Sequence, residues 1–271
     1  LNGRLEQIVD EMDATLFRSA FNPIIAEAHD ASHGIYHRDT GETLAQGKSG
    51  LPIFVGAMAF AVKTVIAKAA RDRDLADGDV YIFNDPWDGG THLSDFRLVR
   101  PVYRDGRVFC WIASVGHWHD VGGAVPGNYN PAATEAWQEG FICPPVKLYR
   151  AGVYQTDIVD MLQSNSRLPV SLYGDLNAQI NALDLGHDRL TGLLDAYGDA
   201  VIDEALVALR DRAEQLMRQE IRALPDGVYR ARDFMDNDGV IDRPLELHLA
   251  ITVADDAMTL DFTGSAPACL G

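Results

Sequence analysis

The sequence predicts an α+β fold, mixed α/β in its layering, with strands feeding a central site. Three observations predict it. Two apolar runs, Val80-Tyr81-Ile82-Phe83 and Val108 to Val115, each break into glycines, a histidine and aspartates, which is how a scaffold presents polar groups at strand ends. Amphipathic helical stripes occupy 4–20 and 175–222. From residue 227 on, the pattern changes to short alternating segments separated by turn residues.

Taken in order, residues 4–20 place Leu5, Ile8, Val9, Met12, Leu16 and Phe17 on one stripe, which reads as a packing helix. The segment 29–37 holds His29, Asp30, His33 and His37, and Arg38-Asp39-Thr40-Gly41-Glu42 reads as the turn of a solvated hairpin. A helix is expected over 57–70, with small residues allowing close approach to a sheet, then a charged connection over 71–79. The two glycine and histidine motifs follow, joined by one strand. A loop is expected at 126–131, extended chain at Pro144-Pro145, a short helix over 157–165 interrupted at Pro169, and two long helices at 175–197 and 199–222 packed outside. Strands are expected at 227–234, 245–253 and 258–262. Asp236-Asn237-Asp238-Gly239 looks like the start of a calcium loop, but its twelfth position is Leu247 where such a loop needs a glutamate, so it reads as a turn. The expected domains are 1–222, holding the site, and 223–271, the start of a β-rich domain. The chain starts on Leu and stops after a strand-like segment, so it is expected to be part of a longer polypeptide.

The 271 residues are 47% hydrophobic and 23% charged, as in ordinary globular proteins. A formal charge of -17 repels nucleic acid and anionic membrane surfaces, so neither is an expected partner. No run is long enough to span a membrane, and the first residues lead into a helix rather than a signal peptide. Cys110, Cys143 and Cys269 show no paired spacing, pointing to a reducing, cytoplasmic compartment. There is no nucleophile elbow and no phosphate loop. Cys110, inside an apolar strand, reads as inert, and Cys143 beside Pro144-Pro145 is a weak nucleophile candidate.

His92 and His117 sit at the ends of the two apolar runs, and neutral imidazole is the commonest transition-metal ligand. Asp30, Asp85, Asp95 and Asp120 are the carboxylates that could complete such a site, which would suit zinc, manganese or iron. Gly89-Gly90 and Gly122-Gly123 could bring main-chain N–H groups close to an anion.

The runs 84–95 (NDPWDGGTHLSD) and 116–123 (GHWHDVGG), Pro126-Gly127, Gln138-Glu139-Gly140, Pro144-Pro145-Val146-Lys147, Gly174 to Gln179 and Asp261-Phe262-Thr263-Gly264 together resemble the hydantoinase B/oxoprolinase family along nearly the whole chain. The resemblance implies a hetero-oligomer with a hydantoinase A-type subunit that binds ATP and Mg. That subunit would phosphorylate a cyclic amide or an enolate, and this chain would complete hydrolysis or carboxylation. It also implies a metal held by Asp30, His92 and His117, with zinc first among the candidates. Within that picture Asp120 or His119 is expected as general base, Asp85 or Asp95 as the group orienting a ligand imidazole, and Gly89, Gly90, Gly122 and Gly123 as anion donors. The family's second motif usually reads Gly-His-His-Ala-Asp, so Trp118 and His119 are departures that bear on substrate. The leading expectation is a subunit of an ATP-dependent cyclic amidase opening a hydantoin, oxoproline or lactam ring. A ketone carboxylase subunit using bicarbonate is the second, and a noncatalytic structural subunit the third.

Overall fold

The structure is a computed structural model that describes residues 1–127 and 129–271, all with side chains except Val55. Asn128, in the loop expected at 126–131, lies outside the described residues. The chain divides into two compact units, Leu1–Asn128 with Glu139–Ala205, and Tyr129–Gln138 with Leu206–Gly271. The division falls after residue 205, set against an expected boundary at 222.

The first unit is built on a seven-stranded antiparallel sheet. Its strands are β1 (Ala31–His37), β2 (Thr43–Gln46), β3 (Val80–Phe83), β4 (Asp95–Arg104), β5 (Arg107–His117), β6 (Val146–Arg150) and β7 (Val153–Tyr154), in the order β2-β1-β5-β4-β3-β6-β7. Helix α3 (Ile53–Asp72) covers one face, packing Phe54, Met58, Ala61, Val62 and Val65 onto Tyr36, Tyr81, Val99, Trp111, Ala113 and Val115. Helices α1 (Asn2–Ser19) and α5 (Pro169–Tyr197) pack together on the other face. Short α2 (Pro23–Ala26) follows α1, and α4 (Thr156–Ser164) precedes α5. The α1 stripe is as the periodicity predicts, with Leu5, Ile8, Val9, Met12 and Leu16 all buried.

Three local features differ from the sequence reading. The two motifs are joined by two strands, because Asp105-Gly106, both at positive φ, make a tight two-residue turn between β4 and β5. Arg97, Arg100 and Pro101 break the apolar pattern of β4, which hides it. Pro169 opens α5 instead of interrupting a helix, since a proline at the first helical position gives up an N–H that has no helical partner anyway. The hairpin at 31–46 is also not solvated at His33, which is fully buried.

Helix α6 (Asp199–Arg222) ends in the second unit, which carries the antiparallel meander β8 (Gly227–Met235), β9 (Leu245–Ala254) and β10 (Ala257–Asp261) in the order β10-β9-β8. The Asp238 carboxylate accepts the N–H groups of Val240 and Ile241, as a polar turn requires. Among the described residues, no helix is long and apolar enough to cross a membrane.

Candidate metal centre

Asp95 is the first residue of β4, His117 the last of β5, and the two are register partners, so their side chains leave the same face of the sheet. His92 stands three residues before Asp95 in a turn closed by Asp95 N–H donating to His92 O at 3.1 Å. His92 Nε2 lies 3.5 Å from Asp95 Oδ2, and His117 Nδ1 lies 3.4 Å from Asp95 Oδ1. The imidazole rings meet edge to face with centroids 4.9 Å apart. One ligand atom from each of the three residues falls within 4.8 Å of the others. Donors on bonds of ~2.1 Å around a tetrahedral ion sit about 3.4 Å apart, so two imidazoles and a carboxylate at these separations fit a divalent transition metal.

Of the three expected ligands, His92 and His117 therefore converge. Asp30 borders them, with its Oδ2 3.5 Å from His117 Nδ1 and its carbonyl accepting the His117 N–H at 3.0 Å. Asp95, one of the four carboxylates the sequence offers and the one the resemblance gives only an orienting role, stands between the two histidines. Which of the four candidate carboxylates faces His117 was decided only by the pairing of β4 with β5.

The surroundings of Asp95 explain its charge. Thr91 Oγ1 donates to Asp95 Oδ2, and Arg97 donates to Thr91 Oγ1 at 2.7 Å and to the Asp95 carbonyl at 2.7 Å. Burial works to raise the Asp95 carboxyl, but hydrogen bonds from His117 and Thr91 and the charges of His92 and Arg97 prevail and hold it below the usual carboxylate range. Asp30 goes the other way, raised by burial and by the nearby Asp95 charge against the pull of the histidines. Burial pushes the Arg97 guanidinium down to about 10, with Asp95 opposing.

Other expected residues have different surroundings. Asp85 caps the short 3-10 turn Pro86–Asp88, accepting the Trp87 N–H at 3.0 Å. The Gly89 and Gly90 N–H groups both donate to Pro86 O. Gly89 is at φ 86, and a Cβ there would come within 2.5 Å of the Phe60 backbone, so it is needed for the close approach to α3. A Cβ on Gly90 would meet Arg97 Nη1 at 2.8 Å. The Gly122 N–H donates to Asp120 Oδ1 at 3.0 Å, and Gly123 is at φ 83 in the same loop. The amides of Gly89, Gly90 and Gly122 are thus engaged within the chain.

Asp120 accepts four donors, the N–H groups of Gly122, Gly127 and Arg167 and the Arg167 guanidinium, at 3.0 to 3.2 Å. Burial raises its carboxyl, but those donors outweigh it and hold it below the usual range, which fits a loop anchor better than a base. His119 is exposed. A depressed folded pKa means that Asp120 stabilises the chain above its unfolded value of about 3.9 and stops doing so as pH falls through the folded value. Asp120→Asn is expected to cost about 1–3 kcal/mol at neutral pH. The difference from the parent should shrink below about pH 4, as measured by urea unfolding across pH 3 to 7.

Several residues that sequence reasoning missed hold the centre from behind. Asn84, fully buried, donates to Leu93 O and Phe141 O and accepts the Cys143 N–H, so it staples the His92 turn to 141–143. Asn22 donates to His117 O at 2.6 Å. Their signal was faint, since an asparagine next to an aspartate or proline reads as turn chemistry. Trp118 is a core residue, stacked on Phe96 at 3.9 Å, and burial pushes the Cys143 thiol up to about 12, with the Asp85 charge adding to it, which removes it as a nucleophile at neutral pH.

The whole chain, residues 1–271, matches the family described as Hydantoinase B/oxoprolinase. It is 35% identical over 239 residues to the caprolactamase subunit beta of Pseudomonas jessenii, covering 88% of this chain and 40% of that relative. The crystal structure of the ATP-dependent caprolactamase from the same organism superimposes with a TM-score of 0.87 at 31% identity, over 95% of this chain and 44% of that one. A nucleotide-free acetone carboxylase structure superimposes with a TM-score of 0.89 over 97% of this chain and 36% of that one; at 20% identity this likeness is one of fold. The chain spans less than half the length of these relatives.

Proposed function

The chain belongs to the hydantoinase B/oxoprolinase family, and from that membership we propose that it is the metal-holding part of an ATP-dependent cyclic amide hydrolase working with an A-type, ATP-binding partner subunit. The observation that carries the reading is the convergence of His92, Asp95 and His117 at one end of the sheet. The name of the ATP-dependent caprolactamase supports a lactam-like substrate and ATP as the energy source.

In this reading the amide oxygen attacks the γ-phosphorus of ATP in the partner, ADP leaves, the amide N–H gives up its proton, and the substrate becomes an imidate phosphate whose ring carbon is more electrophilic. Water then adds to the activated carbon, the ring nitrogen takes a proton and leaves as an amine so that the C–N bond opens, and a second water hydrolyses the resulting acyl phosphate to a carboxylate and phosphate. A divalent metal held by His92, Asp95 and His117, with Asp30 beside them, supplies Lewis acidity when bound. The chain's own residues set the geometry. Arg97 and Thr91 hold Asp95 ionised and oriented, while Asn22 and the Asp30 carbonyl fix the His117 backbone. With the Asp120 oxygens already filled, exposed His119 is the group offered to carry a proton, taking one from the attacking water.

The test is reconstitution with the partner subunit. ATP hydrolysis is expected to rise with a lactam, hydantoin or oxoproline and to be indifferent to bicarbonate. ATP consumption that needs bicarbonate and a ketone would replace the hydrolase with a carboxylase. Complexes that turn over equally well with His92→Ala would leave this chain a structural role.

A further inference from the structure

Two buried polar side chains on α5, one helical turn apart, reach into the strand end that carries His117. The Asp175 carboxylate accepts the N–H groups of Phe21 at 2.7 Å and Asn22 at 3.1 Å, and Asn22 in turn holds the His117 carbonyl. Gln179, fully buried, is placed against the next residue. Its Oε1 accepts the Trp118 indole N–H at 2.8 Å, and its Nε2 donates to Phe96 O at 3.1 Å and to Ser114 Oγ at 3.2 Å. Phe96 and Trp118 are the immediate neighbours of Asp95 and His117, and they stack on one another.

The bonds continue inward in a single direction. Ser114 Oγ lies 3.0 Å from His33 Nε2, and His33 Nδ1 lies 2.7 Å from Asp13 Oδ1, with all of these side chains buried. In the tautomer with the His33 proton on Nδ1 facing Asp13, Ser114 Oγ accepts from the Gln179 amide and donates its own proton to His33 Nε2. Each donor then has its acceptor, and the Gln179 amide cannot flip without setting donor against donor at Trp118. The carboxamide is also packed in place, since a Cβ on Gly116 would come within 3.3 Å of it.

We infer that Gln179 is a positioning residue for the metal centre: through Trp118 and Phe96 it sets the spacing of His117 and Asp95. A merely space-filling residue at this point would need none of the three hydrogen bonds. The inference rests on the metal-centre reading above, and deepens it by naming what holds two of its ligands in register.

The test uses the full chain and zinc as the probe. Gln179→Met keeps the length of the side chain and removes all three bonds; Trp118→Phe removes only the indole donor. Zinc affinity is read by competition with a chromogenic chelator, and stability by urea unfolding of the metal-free chains. Gln179→Met is expected to weaken zinc binding about 10- to 100-fold, the range seen when residues behind a ligand are changed. Trp118→Phe is expected to weaken it less, and the double variant no more than Gln179→Met alone, since both break one bond. Leu183→Ala, a buried change elsewhere on α5, is expected to lower the urea midpoint and leave zinc affinity unchanged. If Gln179→Met fails to fold, Trp118→Phe carries the test by itself. Unchanged zinc binding in the variants, or a loss in Leu183→Ala as large as theirs, overturns the inference alone. A parent chain that binds no zinc overturns the metal-centre reading and this inference with it.

Discussion

His117→Ala is expected to reduce bound metal to background and to weaken affinity by at least about 100-fold, more than changes behind a ligand do. The reason is where this imidazole stands. Its side chain is 3% exposed, its N–H is held by Asp30 O, and its carbonyl is held by Asn22. None of those backbone bonds needs the ring, so alanine removes the donor and leaves the strand end in place. His92→Ala should be milder, because His92 lies in a turn with half of its side chain exposed and with less holding it in place. Metal content by elemental analysis, with chelator competition for affinity, checks the order. Equal metal content in His117→Ala and the parent would remove the centre from this face of the sheet. In the reconstituted complex, ATP-driven turnover should fall with the metal.

The second large effect is expected at Arg97. Its guanidinium is fully buried and donates to Asp95 O, Thr91 Oγ1 and Asn84 O, directly beneath the carboxylate that the two histidines share. Arg97→Met would leave Asp95 ionised in a low-dielectric setting without its buried counter-charge, and would remove one donor from each of three oxygens. Removing one partner of a buried ionic group typically costs about 3–5 kcal/mol. In a chain of this size that is roughly a 10 °C fall in melting temperature. Pairing it with Asp95→Asn removes both charges, so the double variant should be less destabilised than the sum of the two singles. Urea unfolding of the four metal-free chains measures this. Arg97→Met within about 1 kcal/mol of the parent, the scale of an ordinary surface change, would show that Asp95 does not depend on it. Lysine is no substitute here, because a single ammonium cannot span acceptors that a planar fork reaches.

Much of the fold was legible from pattern. The α1 stripe, the strands at 80–83 and 108–115, the two long helices and the terminal meander all follow periodicities that secondary structure imposes on an amphipathic chain. The motifs around His92 and His117 were legible too, because glycine and histidine clusters at strand ends stand out against composition. β4 was not, since its arginines and proline look like loop residues until Arg97 is seen buried beneath Asp95. The polar residues of α1 and α5 gave no warning either. Asp13 lies off the α1 stripe, His33 of β1 falls in the expected solvated hairpin, and no periodicity marks Asp175 or Gln179 as buried, whereas each is buried and hydrogen-bonded inside.

The sequence by itself determined most of the long elements, the family to which the chain belongs, and that His92 and His117 bracket the important stretch. Only the tertiary structure decided that Asp95 stands between those histidines, that the oxygens of Asp120 are committed to the Arg167 loop, and that α5 holds the strand end from behind. The physical reason is range. Helix and strand periodicity is set by neighbours a few positions away, whereas a metal centre and its hydrogen-bonded support are made by residues like Asp13, Ser114 and Gln179, which become neighbours only when strands pair and helices pack.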